Sequence, residues 1–410
     1  MAVVKPFCCV HPARGLEREI AALPYDVYSR EEARRAVEGK PLSFLNIDRP
    51  ETLFAPEQDM YAQEVYEAAR ERLQRMQEDG SFIKDESPVY YIYELTMDGR
   101  SQTGIVGCAS IDDYEQQVIR RHENTRAEKE EDRIRHVDAC GAQTGPIFLA
   151  YRSHGQIRKI VETVKASEPE FCFETEDHIR HAGWKVSEES VQKELELAFR
   201  QVGNVYIADG HHRTASAVKV GMKRREQFPG YSGAEEFNYF LSVLFPDDEL
   251  TIMDYNRVVK DLNGLSMERF LGAVSERFDT FLLDGPEKPR KKGQIVMYLH
   301  GYWFRLTMRP EYIRQDPVEG LDVAYLQREL LGPVLGIGDP RTDKRIDFVG
   351  GIRGIEELKR RADGDMEVAF AMYPTSIEEL FTVADAGLLM PPKSTWFEPK
   401  LLSGLFIHEI

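Results

Sequence analysis

The segment Tyr206 to Ala217 (YIADGHHRTASA) sets a carboxylate, two imidazoles, a guanidinium and two hydroxyls around one glycine. Its apolar lead VYIA (Val205–Ala208) reads as a short buried strand. Gly210 permits a tight turn or a close backbone approach, and a small-residue helix opens at about His211–Thr214. The first turn of a helix carries free N–H groups and the positive end of the dipole, which suits an anion. Arg213 adds a planar fork for phosphate oxygens, and His211, His212 and Thr214 add donors. A phosphate cradle is the reading these residues favour. A helix cap at Asp209 and a metal site at Asp209, His211 and His212 are the alternatives. The metal reading needs unusual geometry, because adjacent histidines at a helix start do not face one another.

Three further groups carry chemistry. In Arg120–Arg126 (RRHENTR), Glu123 sits among cations, where a carboxylate stays ionised and can act as a base or a magnesium ligand, with Arg126 offsetting charge. The charged run beyond it, with Glu128/Asp132 and Lys129/Arg133 at i,i+4, reads equally as a solvated helix. Near the end, Lys393 and Lys400 in PPKSTWFEPK can neutralise phosphate charge, and Ser394 and Thr395 can donate to its oxygens or touch Mg²⁺. A strap whose aromatic residues plug a groove is the structural alternative. In LPYDV (Leu23–Val27), Asp26 is either a functional carboxylate or part of a turn.

The elements that position these residues alternate along the whole chain. Ser29 with Glu32 forms a capping box opening a helix Arg30–Glu38, and Gly39 follows as its stop. Pro56 is placed as the first residue of a helix running to about Asp79. Asp98-Gly99 between two apolar runs predicts a β-hairpin with a type I′ turn. Strands are expected at Ile147–Tyr151 and Phe237–Phe245, helices at Gln156–Lys165 and Glu188–Gln201, and a second hairpin over Gln294–Met308. The segment MPPKSTWFEPKLLSGLF is too rich in Pro and Ser/Thr for a regular element, yet its aromatic residues argue against a dangling tail. The fold class is α+β, divided into residues 1–248 and 249–410, with the tail a candidate to return to the site.

Composition narrows the function. The 410 residues hold 53 Lys+Arg against 70 Asp+Glu, a net charge of −17, which repels nucleic acid and anionic lipid at long range. No apolar run has the length of a membrane span, and the N-terminus lacks the h-region of a secretory signal. A cytoplasmic protein is the expectation. Five irregularly spaced cysteines predict neither a disulfide framework nor a zinc finger.

PYDV, HENT with its charged continuation, IADGHHR and MPPKSTWFEPK occur in this order across almost the whole chain. On these blocks the sequence is identified as a member of the uncharacterised-domain family numbered one thousand and fifteen, often labelled ParB-like. DGHHR after a strand is also similar to the phosphate-binding signature of the ParB/sulfiredoxin superfamily, which includes chromosome-partition nucleotidases, sulfiredoxin and a free-serine kinase. The resemblance implies a ParB/sulfiredoxin-like nucleotide-binding core in which Gly210, His212 and Arg213 hold phosphates, with Asp209 nearby. Where sulfiredoxin has its motif cysteine this chain has His211, and no basic helix-turn-helix follows, so the kinase branch remains. The expectation is a phosphotransferase using ATP or ADP with Mg²⁺ on a small hydroxylated metabolite, possibly free serine. A nucleotide-hydrolysing sensor and a metal-dependent hydrolase are the other two readings.

Overall fold

The computed structural model describes residues 1–125 and 127–410; Arg126 lies outside the described residues. The chain is mixed α and β with several sheets. It forms two compact units, Met1–Leu250 together with Pro399–Ile410, and Thr251–Glu398. The last twelve residues belong to the first unit.

The first unit is built on a nine-stranded mixed sheet. Its order runs Ile119–Arg120, Val205–Asp209, Ile147–Tyr151, Tyr239–Pro246, Arg100–Ser110, Tyr90–Met97, Arg180–Val186, Phe171–Glu174, with Val4–Lys5 paired to Arg100–Ser110. The strand Val205–Asp209 runs parallel to Ile119–Arg120 and antiparallel to Ile147–Tyr151. It is covered on both faces, so its residues Val205–Ala208 are all buried and read as an unbroken apolar run. Ile207 packs in one cluster with Ile92, Leu149, Leu195, Phe199 and Val218. Burying one such side chain stabilises by roughly 1.5–3 kcal/mol.

Local sequence chemistry sets several boundaries. The Ser29–Glu32 capping box is closed in both directions, and its helix spans Arg30–Val37. Asp98 (φ 51°) and Gly99 (φ 76°) both take the left-handed conformation that a type I′ turn requires. The helix placed at Pro56 instead begins at Gln63 and runs to Glu78. Residues 55–62 are held in turns, with Gln58 N–H donating to the Ala55 carbonyl and Tyr61 N–H to Asp59 Oδ1. These local bonds satisfy the backbone without a helix.

The helix Ala127–Cys140 departs from the solvated reading. Its Glu130, Arg133 and His136 are buried, one face at i, i+3 and i+6. Arg133 pairs with Asp132 at 2.8 Å, lies 4.0 Å above the Tyr25 ring and reaches the Asp48 carbonyl at 3.4 Å. Tyr66 Oη donates to Asp132 Oδ1 at 2.8 Å, and Thr144 Oγ1 to Asp48 Oδ1 at 2.8 Å. A buried charge persists only when paired and hydrogen-bonded in this way.

The second unit carries a six-stranded antiparallel sheet in the order Phe278–Leu283, Tyr302–Met308, Gln294–Leu299, Val368–Ala371, Tyr255–Val259, Ile346–Gly350. The expected hairpin over Gln294–Met308 turns at His300 (φ 47°) and Gly301 (φ 89°).

Candidate nucleotide-phosphate site

The strand Val205–Asp209 ends in a register irregularity against Ile147–Tyr151 between Ile207 and Asp209, and the chain then turns at Gly210. Gly210 has φ 93°, where a Cβ is strained, and that Cβ would stand 3.1 Å from Arg213 Nε. The helix His211–Gln227 starts at once, with no side chain capping it. Its first internal N–H bond is Thr214 to the Gly210 carbonyl at 2.9 Å, reinforced by Thr214 Oγ1 at 3.1 Å. The N–H groups of His211, His212 and Arg213 precede that bond and form the dipole's positive end.

Asp209 does not cap the helix. Its Oδ1 accepts from the Gly210 N–H at 2.7 Å, and its Oδ2 accepts from Lys400 Nζ at 2.9 Å. Burial alone would raise this carboxyl, but Lys400 and Arg213 hold it far below the usual carboxylate range, and the Gly210 N–H adds to them. Arg213 Nη1 donates to the Pro146 carbonyl at 2.6 Å, which fixes the guanidinium over Gly210. A cavity of about 30 Å³ between Tyr25, Asp48, Arg133, Thr144 and Arg213 ties this turn to the PYDV segment and to the buried charged helix.

Lys400 is placed by the C-terminal segment. Leu401, Leu402, Leu405, Phe406 and Ile407 are buried, Ala22 bridges Ser403, and Val10 bridges Ile407. His408–Glu409 then pairs with Ala142–Gln143. Lys400 also lines a cleft of about 380 Å³ with Arg18, Glu19, Lys40, Glu176 and Asp177.

His211 and His212 diverge, as adjacent helical residues must. His211 turns inward and meets His122 edge-on, ring centroids 4.5 Å apart, while His212 stays half-buried. Burial pushes His122 down to about 4, against a hydrogen bond to the Ile207 backbone, and pushes His211 well below its ordinary value. Glu123 is half-buried beside them. His122 escaped attention in the sequence because its partner lies 89 positions away; the parallel pairing of Ile119–Arg120 with Val205–Tyr206 brings them together.

The other sequence candidates fall differently. Asp26 is exposed, whereas Pro24 and Tyr25 of its motif are buried, and Arg49 Nη1 donates to the Tyr25 and Tyr28 carbonyls at 3.0 and 2.9 Å. Arg126 lies outside the described residues. Lys393, Ser394 and Thr395 belong to the second unit. Lys393 is exposed with φ 60°, and its carbonyl accepts from Arg257 Nη2 at 3.1 Å. Ser394 is buried and its hydroxyl donates to the Pro391 carbonyl at 2.6 Å, so it closes its own turn. Lys400 of the tail pairs with Asp209 of the DGHHR turn. Among the described residues no helix is long and apolar enough to cross a membrane.

Among solved structures, the chain is similar to a free serine kinase in complex with AMP, at 13% identity over 75% of this chain and 91% of that one, TM-score 0.36. It is similar to SbnI with a C-terminal truncation from Staphylococcus aureus, at 12% identity over 73% and 85%, TM-score 0.38. A conserved hypothetical protein from Pyrococcus furiosus is similar at 13% identity over 74% and 95%, TM-score 0.35. No curated protein matches the sequence. The family model described as "Protein of unknown function (DUF1015)" matches residues 4–324, which takes in PYDV, HENT and DGHHR, and the chain belongs to that family.

Proposed function

We propose that this chain is a Mg²⁺- and nucleotide-dependent phosphotransferase acting on a small hydroxylated metabolite, with free serine the leading candidate. The observation that carries the reading is the uncapped start of the helix His211–Gln227 at left-handed Gly210, flanked by Arg213 and Lys400. Three backbone N–H groups and two cations around one turn suit phosphate oxygens. Among the described residues Nε and Nη2 of Arg213 make no hydrogen bond, which leaves them available to a phosphate while Nη1 anchors the group. A ParB/sulfiredoxin-like core is the fold reading that goes with this turn.

Phosphoryl transfer is mostly positioning and charge stabilisation, which such a turn supplies. The substrate hydroxyl oxygen bonds to the terminal phosphorus of ATP or ADP, the bridging P–O bond breaks, and the shortened nucleotide leaves. The hydroxyl proton passes to a carboxylate, for which Asp26 and Glu123 are the candidates. Lys400, whose Nζ lies 2.9 Å from Asp209 Oδ2, is a second cation at the turn beside Arg213. The cleft that Lys400 lines carries both signs of charge, which suits a zwitterionic metabolite such as a free amino acid.

The test is a thermal-shift panel of ATP, ADP, CTP and GTP with Mg²⁺, with and without L-serine, on the wild type and Arg213→Ala. A ligand at 100 times its Kd adds about 2.7 kcal/mol. Stabilisation of the wild type alone, increased by serine, is expected. A wild type that no nucleotide stabilises, or an Arg213→Ala protein stabilised equally, would end this reading.

A further inference from the structure

We propose that His122, Glu123 and His211 form a binding site for one divalent transition-metal ion, held by two imidazoles and one carboxylate. The inference does not rest on the nucleotide reading, since it concerns a metal bound by the protein alone; it gives Glu123 to the metal and leaves Asp26 as the carboxylate that takes the substrate proton. One ligand atom from each of the three side chains lies within 4.8 Å of the other two. The two rings meet edge to face, with an interplanar angle of 90° and centroids 4.5 Å apart.

The second observation is His211 itself. It is 7% exposed, and its Nε2 is buried with no hydrogen-bond partner. A buried polar atom left unpaired costs about 1–3 kcal/mol, so a side chain kept in this state asks for an absent partner. A metal ion supplies one. The hydrogen bond from His122 to the Ile207 backbone fixes that ring, in the way outer contacts orient metal-binding histidines.

The donor set selects the ion. Imidazole suits Zn²⁺, Co²⁺ and similar ions, whereas Mg²⁺ takes oxygen ligands and keeps its waters. Ligands about 2.0–2.1 Å from a tetrahedral ion lie about 3.4 Å from one another. The present spacing therefore closes by side-chain rotation around the ion. Three protein ligands leave a coordination position, and half-buried Glu123 marks the side from which a water or a phosphate oxygen reaches it.

The test uses the full chain after chelator treatment, without nucleotide. Co²⁺ is titrated with its visible ligand-field bands as the readout, and Zn²⁺ is titrated in competition with a chromophoric chelator. One equivalent of each is expected, unaffected by millimolar Mg²⁺. Glu123→Gln and His211→Asn should each weaken binding at least 100-fold. Glu123 is half-buried, so its variant keeps the fold, as far-UV circular dichroism will show. Lys359→Met, at an exposed ion pair of the second unit, should bind metal as the wild type does. Absence of saturable one-to-one binding by the wild type would overturn the site, as would binding that survives Glu123→Gln unchanged or that Mg²⁺ displaces at equal concentration.

Discussion

Lys400→Met removes the ammonium beside Asp209 and keeps most of the apolar stem. In the native chain the two side chains are 15% and 31% exposed, with Nζ and Oδ2 2.9 Å apart. Breaking a fully buried pair costs about 3–5 kcal/mol, and an exposed pair contributes about 0–1 kcal/mol. Asp209 is about one-third exposed and keeps the Gly210 N–H and Arg213, so the expected loss lies between these limits, about 2 kcal/mol. For a unit of this size that lowers Tm by about 4–8 °C. Scanning calorimetry on the wild type, Lys400→Met, Asp209→Asn and the double variant gives the coupling energy, expected at about 1–2 kcal/mol. The pH dependence supplies a second reading. The folded carboxyl of Asp209 is depressed, so its contribution is present above the unfolded value of about 3.9 and is lost as pH falls below it. The gap between wild type and Lys400→Met should therefore narrow below about pH 4. A shift under about 1 °C at neutral pH with no coupling would refute the claim that Lys400 holds Asp209 ionised.

Gly210→Ala forces a side chain into φ 93° against Arg213 Nε at 3.1 Å, and should destabilise by about 1–3 kcal/mol and weaken any nucleotide binding; an unchanged urea midpoint would contradict this. Tyr66→Phe deletes the Oη donor to Asp132 and should cost about 1.5–3 kcal/mol by urea unfolding. His122 and His181 are pushed down to about 4 by burial, so the unfolded chain binds protons that the folded chain refuses. Stability should be constant above pH 6.5 and fall on acidification toward pH 4, by up to about 1.4 kcal/mol per pH unit for each residue. A urea midpoint that stays flat from pH 6.5 to 5 would show that these imidazoles are not buried as neutral rings.

The sequence by itself determined the features whose physics is local. A Ser and a Glu three apart close a capping box wherever a helix starts, as Ser29 and Glu32 do. Asp98-Gly99 makes a type I′ turn because both residues tolerate positive φ. Strand, glycine and small-residue helix at 205–217 were legible for the same reason, and so was the anion-ready end of the helix. The family followed from the order of four short blocks.

Tertiary structure decided what depends on distant partners. Lys400 reaches Asp209 across 191 positions because the apolar residues after it dock in the first unit, a choice that no local pattern encodes. The charged helix 127–140 looked solvated because i,i+4 pairs suggest an exposed face, yet Arg133 is buried where its neighbour Asp132, and Tyr25 and Asp48 from other elements, satisfy it. His211 was weighed with its neighbour His212, but a helix turns about 100° per residue and sends adjacent side chains apart. Its ring meets His122 because a parallel strand pair brings the two loops together. Sequence spacing specifies which groups a local turn presents, and only packing specifies which groups it will meet.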